Sequence, residues 1–250
     1  MNERIFFPNK GQKLLAGVLN NGRPNSPVLI FVHGFGGNKE ENGLFIDAEN
    51  YFSQRGYNTF RFDMEGIGES QGTYRDTSLQ RQVDDLEATL SHLLLLYPRN
   101  RVGVVGFSLG ATASVLSSNP KIDAYALWSP ALFLPQDMFP RYSTPELEEE
   151  LQRNGFVLKP GSGLEIGPQI IEDFKTTNLE QRMSSLTKPV LLVHGTSDPR
   201  LDYRNTVKAA TYFPDGHLEI IPGANHSYKE NPPLRNALFE KTYAWLRTNL

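Results

Sequence analysis

Ser108 stands at the centre of Gly106-Phe107-Ser108-Leu109-Gly110. A serine hydroxyl is a poor nucleophile at neutral pH, and becomes useful only when an imidazole takes its proton and a carboxylate orients that imidazole. Both partner types follow in the order nucleophile, acid, base. Asp198 ends His194-Gly195-Thr196-Ser197-Asp198, and His226 ends Gly223-Ala224-Asn225-His226. Asp202 is a nearby rival for the acid. Among the other histidines, His92 falls inside a helical stretch and His217 opens a strand at the wrong end. His33 and His194 lie at strand ends before glycine, where each could line a site, but both precede the completion of that order. His226 is the base by elimination.

A second glycine cluster, His33-Gly34-Phe35-Gly36-Gly37, could turn backbone N–H groups toward a developing oxyanion. The expected donors are the amides of Phe35 and Leu109, the latter at a helix N-terminus that favours negative charge. Asp63 and Ser70 are expected to fix a turn, because their short polar side chains bond nearby backbone.

These residues need a scaffold that presents loops at one edge. Val28–Val32, Asn58–Phe62 and Ala124–Trp128, with residues 102–105 and 190–193, are continuous apolar or β-branched runs that predict strands buried on both faces. Residues 218–221 supply the last strand, and residues 4–7 and 14–19 an antiparallel hairpin at the sheet edge. Helices are expected over residues 40–55, 78–97, 111–118, 204–212 and 234–248. In the second of these, Leu79, Val83, Leu86, Leu90, Leu93 and Leu94 form an apolar stripe. Alternating strands and helices predict an α/β fold with a mainly parallel sheet.

Candidate site residues Ser108, Asp198 and His226 all fall just beyond expected strand ends, where open α/β sheets bind ligands. Residues 129–188 break the alternation. Six prolines, the acidic run Glu146-Leu147-Glu148-Glu149-Glu150 and Gly161-Ser162-Gly163 fall there, and so long a segment is expected to form a partly helical insertion on a core of residues 1–128 and 189–250. Its Phe133, Phe139, Tyr142, Phe156 and Phe174 could line an apolar pocket or form the insertion's own core. The acidic run could select a cationic substrate or be a solvated helix face.

Bulk properties narrow the function classes. The 250 residues suit one substantial domain, and a net charge of −3 carries no basic footprint for nucleic acid. With no cysteine, disulfides and thiolate metal sites are excluded. No apolar run approaches the roughly 20 residues of a membrane span. The first residues lack a secretion signal's apolar core, so a cytoplasmic location is expected.

Over essentially its whole length the sequence resembles the α/β-hydrolase superfamily. It looks most like small esterases, including cinnamoyl or feruloyl esterases, and their serine aminopeptidase and monoacylglycerol-lipase-like relatives. The resemblance rests on His33-Gly34-Phe35-Gly36-Gly37-Asn38-Lys39, Asp63-Met64-Glu65-Gly66-Ile67-Gly68-Glu69-Ser70, and the serine, aspartate and histidine segments above. It implies helices on both sheet faces and a cap inserted between the sixth and seventh strands. Ile67 stands where relatives carry a polar residue, and Pro199-Arg200-Leu201-Asp202 replaces a common Val-Pro pair. The expected activity is hydrolysis of small acyl or aryl esters through an acyl-enzyme, with no metal or organic cofactor. A peptidase or amidase on the same residues, and a low-turnover ligand sensor, are the alternatives. Substrate contacts and oligomeric state are not legible.

Overall fold

The chain opens with β1 (Asn2–Pro8) and β2 (Leu14–Asn20), in a computed structural model that describes residues 2–20 and 23–250. There follow β3 (Val28–Val32), α1 (Leu44–Gln54), β4 (Asn58–Phe62), α2 (Leu79–Leu96), β5 (Val102–Phe107), α3 (Leu109–Ser117) and β6 (Ala124–Trp128). The segment after β6 carries α4 (Leu134–Asp137), α5 (Pro145–Asn154), the short hairpin β7 (Val157–Leu158) and β8 (Glu165–Ile166), α6 (Pro168–Thr176) and α7 (Glu180–Ser185). The main sheet then resumes with β9 (Val190–Gly195), α8 (Tyr203–Ala210), β10 (Gly216–Ile221) and α9 (Pro232–Asn249).

Eight strands form one sheet in the order β1-β2-β4-β3-β5-β6-β9-β10. The pairs β1/β2 and β2/β4 are antiparallel and all the others parallel. The apolar runs divide between two cores with period two, as pleated strands require. Val28, Ile30, Val102, Val104, Tyr125, Leu127, Val190 and Leu192 pack on one face against Leu86, Leu90 and Leu93 of α2 and Ala111 and Val115 of α3. Leu29, Phe31, Val105, Phe107, Ala126, Trp128, Leu191 and Val193 pack on the other against α1 and α9, through Phe45, Phe52, Phe239 and Leu246. The α2 helix starts where expected because the Ser78 side chain accepts from Arg81 N–H, a standard N-cap bond.

The expected helix over residues 40–55 is corrected at its start. Glu41–Gly43 form a single 3-10 turn, and α1 begins at Leu44. Glu41, Asn42 and Gly43 have φ of 43°, 52° and 91°, which a right-handed helix cannot contain. The turn directs Glu41 inward.

The insertion between β6 and β9 builds a third core with the loops at the carboxyl ends of the strands. Leu134, Met138, Tyr142, Val157, Ile166, Ile170 and Phe174 pack there with Ile67, Leu109 and Leu201. Helix α5, which carries the acidic run, buries none of its residues, so that run is a solvated face.

Candidate active site

Ser108 occupies the turn between β5 and α3 with φ 53° and ψ −116°. Such a conformation in a non-glycine residue costs about 1–3 kcal/mol and persists only when its surroundings impose it. The flanking glycines make the turn possible. A Cβ on Gly106 would come within 2.8 Å of Ala111 Cα, and one on Gly110 within 2.1 Å of the Val32 carbonyl oxygen. Ser108 N–H donates to Trp128 O at 2.9 Å, which ties the turn to the neighbouring strand.

His226 reaches this serine from the loop after β10. Its Nε2 lies 3.2 Å from Ser108 Oγ, and its Nδ1 lies 2.6 Å from Asp198 Oδ2. Asp198, on the loop after β9, is held from four sides. Its Oδ2 also meets His194 Nε2 at 2.9 Å, while Oδ1 accepts from the Arg200 and Leu201 amides at 2.7 and 3.0 Å. Burial alone would raise its proton affinity. The His194 and His226 hydrogen bonds, the His226 charge and the Leu201 amide outweigh burial and hold the carboxyl well below the usual range. Burial lowers the pKa of His226 from 6.5, with Asp198 opposing, so the ring is neutral near pH 7 and able to accept a proton.

The other candidates separate clearly. Asp202 caps α8 and pairs with Arg204 at the surface. The His33 ring is buried, with Nδ1 2.9 Å from Gly34 O and Nε2 accepting from Met64 N–H at 3.1 Å, which assigns a neutral tautomer holding two loops together. His92 stacks on Phe7, and His217 meets Glu219 at the exposed start of β10. His194 is the residue whose place the sequence left open. It joins Asp198 to Thr206 Oγ1, which lies 2.6 Å from its Nδ1.

The glycine loop after β3 lies against the elbow, since a Cβ on Gly34 would meet Ser108 Cβ at 3.2 Å. Its amides are nearly all committed. Gly34 N–H donates to Glu41 Oε2 at 2.9 Å, Gly36 N–H to Tyr74 OH at 2.7 Å, and Gly37 N–H to Gly34 O at 3.0 Å. Lys159 Nζ donates to Phe35 O. Among the described residues, the Phe35 N–H donates to no protein acceptor. Leu109 is the first residue of α3, where an N–H has no carbonyl one turn earlier to bond. Both amides expected to meet an oxyanion are thus without a protein acceptor among the described residues.

Glu41, Tyr74 and Lys159 carried no signal in the sequence. Glu41 is buried, and burial pushes its carboxyl up to about 7 despite the Gly34 hydrogen bond and the charges of Lys159 and Arg200. Asp63 is fully buried. It accepts from Lys39 Nζ at 2.7 Å and from the amides of Lys39 and Glu69, and its carbonyl accepts from Ser70 Oγ at 2.6 Å. It fixes the turn after β4 and does not touch the Ser108 group.

A pocket of about 70 Å³ opens over Ser108 and His226, with Phe35, Glu41, Met138, Tyr142 and three cationic side chains on its wall. Of the five aromatic residues considered in the insertion, only Tyr142 lines it. Phe174 packs with Phe35 and Tyr142 at 5.2 and 5.8 Å between ring centres, Phe133 joins a sheet core, and Phe156 stacks under Arg75.

Residues 23–154 match the family model described as serine aminopeptidase, S33. Over 121 residues, 46% of this chain, the sequence is 30% identical to a Haemophilus influenzae protein provisionally named an esterase/lipase; the match spans 39% of that protein's length. The ferulic acid complex of Est1E from Butyrivibrio proteoclasticus superposes with a TM-score of 0.80 at 23% identity, covering 97% of this chain and 99% of that one. The Pyrococcus furiosus esterase Pf2001 gives 0.76 at 19% identity, over 99% and 91%. At such identities the structural likeness establishes the α/β-hydrolase fold.

Proposed function

From the premise that this chain belongs to the serine aminopeptidase S33 family of α/β hydrolases, we propose that it is a serine carboxylesterase acting on small acyl or aryl esters. The single observation that carries this reading is the hydrogen-bonded line from Ser108 Oγ through His226 to Asp198. Ser108 Oγ attacks the ester carbonyl carbon while its proton passes to His226 Nε2. The carbonyl oxygen becomes an oxyanion facing the Phe35 and Leu109 amides, each such donor being worth roughly 3–4 kcal/mol in the barrier. The C–O bond then breaks, and His226 returns the proton to the departing alkoxide. A water molecule, deprotonated by His226, attacks the acyl-enzyme; the acid leaves and Ser108 recovers its proton. Asp198 stays ionised throughout, holding the imidazole and stabilising its cation.

One feature of the pocket favours esters over an aminopeptidase's substrates. A substrate α-ammonium needs a carboxylate to receive it, and the pocket offers Glu41, already bonded to Gly34 and shifted toward its neutral form, beside three cations. A fluorophosphonate should label wild-type protein at Ser108, and 4-nitrophenyl esters should be turned over far faster than aminoacyl 4-nitroanilides. Ser108→Ala should lose labelling and turnover while keeping its circular dichroism spectrum. Undiminished turnover in Ser108→Ala would sink the assignment. Inertness toward every ester, with tight binding of a small molecule, would favour the ligand-sensing alternative.

A further inference from the structure

Arg141, Lys159 and Arg200 converge on the pocket that contains Ser108 and His226. Among the described residues, none of the three forms an ion pair within 4.0 Å. Arg141 gives a guanidinium N–H to the Arg200 carbonyl and Lys159 gives one N–H to Phe35 O, which leaves most of their donors unused. The Arg200 side chain donates to no protein acceptor among the described residues. The neighbouring acids offset this group only in part, Glu41 acting on Lys159 and Arg200 and Asp137 on Arg141, with none within ion-pair distance. Asp198 is saturated by four hydrogen-bond partners, and Glu41 is buried against the glycine loop. The pocket wall is therefore cationic in a chain whose formal net charge is −3. Like charges gathered without paired counter-charges repel, and a bound anion relieves that repulsion. Burial and the Arg200 charge lower the proton affinity of Lys159, with Glu41 opposing, as expected of a cation in an under-compensated site.

We propose that the site selects esters carrying a carboxylate remote from the scissile bond, with Arg200 and Arg141 at the mouth receiving the carboxylate and Lys159 adding to the attractive field. The proposal rests on the reading of Ser108 as nucleophile for its turnover, and on the cations alone for its binding. A guanidinium fork matches a carboxylate with two parallel hydrogen bonds, and both arginines are exposed enough to reach one. The small pocket leaves the acyl chain a short path between the carboxylate and Ser108.

The test compares mono-4-nitrophenyl adipate with 4-nitrophenyl hexanoate, which share chain length and leaving group and differ in charge. It uses wild-type protein, Arg141→Gln, Arg200→Gln and the double variant, at low and high salt. In parallel, calorimetry compares monomethyl adipate with methyl hexanoate binding to Ser108→Ala protein. The anionic ester should be preferred by about tenfold or more in kcat/KM, the scale of a hydrogen bond to a charged group. That preference should sit mainly in KM, weaken with salt and fall severalfold in the double variant. Monomethyl adipate should bind Ser108→Ala the tighter of the pair. A wild-type ratio near one, or a ratio unchanged by the double substitution, overturns the proposal. Selective binding without turnover of either ester supports the anion site while removing Ser108 as nucleophile. Equal binding of the two methyl esters overturns the anion site whatever the turnover.

Discussion

Replacing Glu41 by glutamine tests the electrostatics under the glycine loop. Glutamine keeps an oxygen for the Gly34 N–H and removes the ionisation. The carboxyl is pushed from 4.5 up to about 7 by burial, so between those values folded protein holds a proton that unfolded protein has released. Wild-type stability therefore falls as pH rises through that window and levels above it. The whole change is about 3 kcal/mol, from 1.36 kcal/mol per pH unit. In a chain of this size that corresponds to a drop of roughly 6–12 °C in Tm. Other groups titrate in the same range, among them Asp85, pushed up to about 6, and His33 and His226, pushed down. The difference between variant and wild type isolates Glu41. Urea melts across pH 4 to 8 should show Glu41→Gln gaining on wild type steadily, by about 3 kcal/mol in total, with an unchanged m-value. A difference that stays flat across the series, or narrows as pH rises, would refute the reasoning.

Gly110→Ala sets a Cβ 2.1 Å from the Val32 carbonyl oxygen, a backbone atom that cannot swing aside, so α3 must back away from β3. Thermal melts should show a loss of several kcal/mol, well beyond the roughly 1 kcal/mol typical of a single substitution. Lys39→Met leaves the fully buried Asp63 carboxylate without its cation, at a cost of about 3–5 kcal/mol in denaturant melts. In wild type, kcat/KM for a 4-nitrophenyl ester should fall on the acid side below pH 6.5, because the base must be neutral and burial has lowered its pKa. His194→Phe takes one donor from Asp198, so more of the carboxylate's charge falls on His226. The acid limb should then move to higher pH, whereas a purely structural role would lower stability and leave the limb in place.

The strands were legible because burial on both faces demands continuous apolar runs, and the elbow because a strained serine needs glycine on either side. Val28–Val32 and Ala124–Trp128 keep the bounds read from sequence. His226 was legible by position, being the histidine on a loop after the last strand. Other contacts come from chemistry that leaves no pattern. Glu41 fell at the start of an expected helix, and three successive positive φ values turn it under Gly34 instead. Lys159 meets Phe35 across 124 residues of sequence, from a hairpin too short to mark itself by alternation. His194 was recognised as a candidate to line the site. Its bond to Asp198 depends on the two side chains turning toward each other across four residues at the end of β9, which spacing alone does not determine.

Those unpatterned contacts bear on how the glycine loop is held. Gly34 is gripped by Glu41 from the turn before α1, Gly36 by Tyr74 from the loop after β4, and the Phe35 carbonyl by Lys159 from the insertion. Each grip uses one polar group of the loop. The Phe35 N–H shares its peptide plane with Gly34 O, which accepts from Gly37 N–H at 3.0 Å and lies 2.9 Å from His33 Nδ1, so these bonds set where that N–H points while the side-chain grips hold the planes on either side. The amide proposed to meet the oxyanion thus lies between peptide planes held by three side chains from three separate segments, one belonging to the insertion that walls the pocket. The insertion then has two physical connections to the chemistry. It shapes the space a substrate enters, and through Lys159 it holds the backbone against which charge would develop.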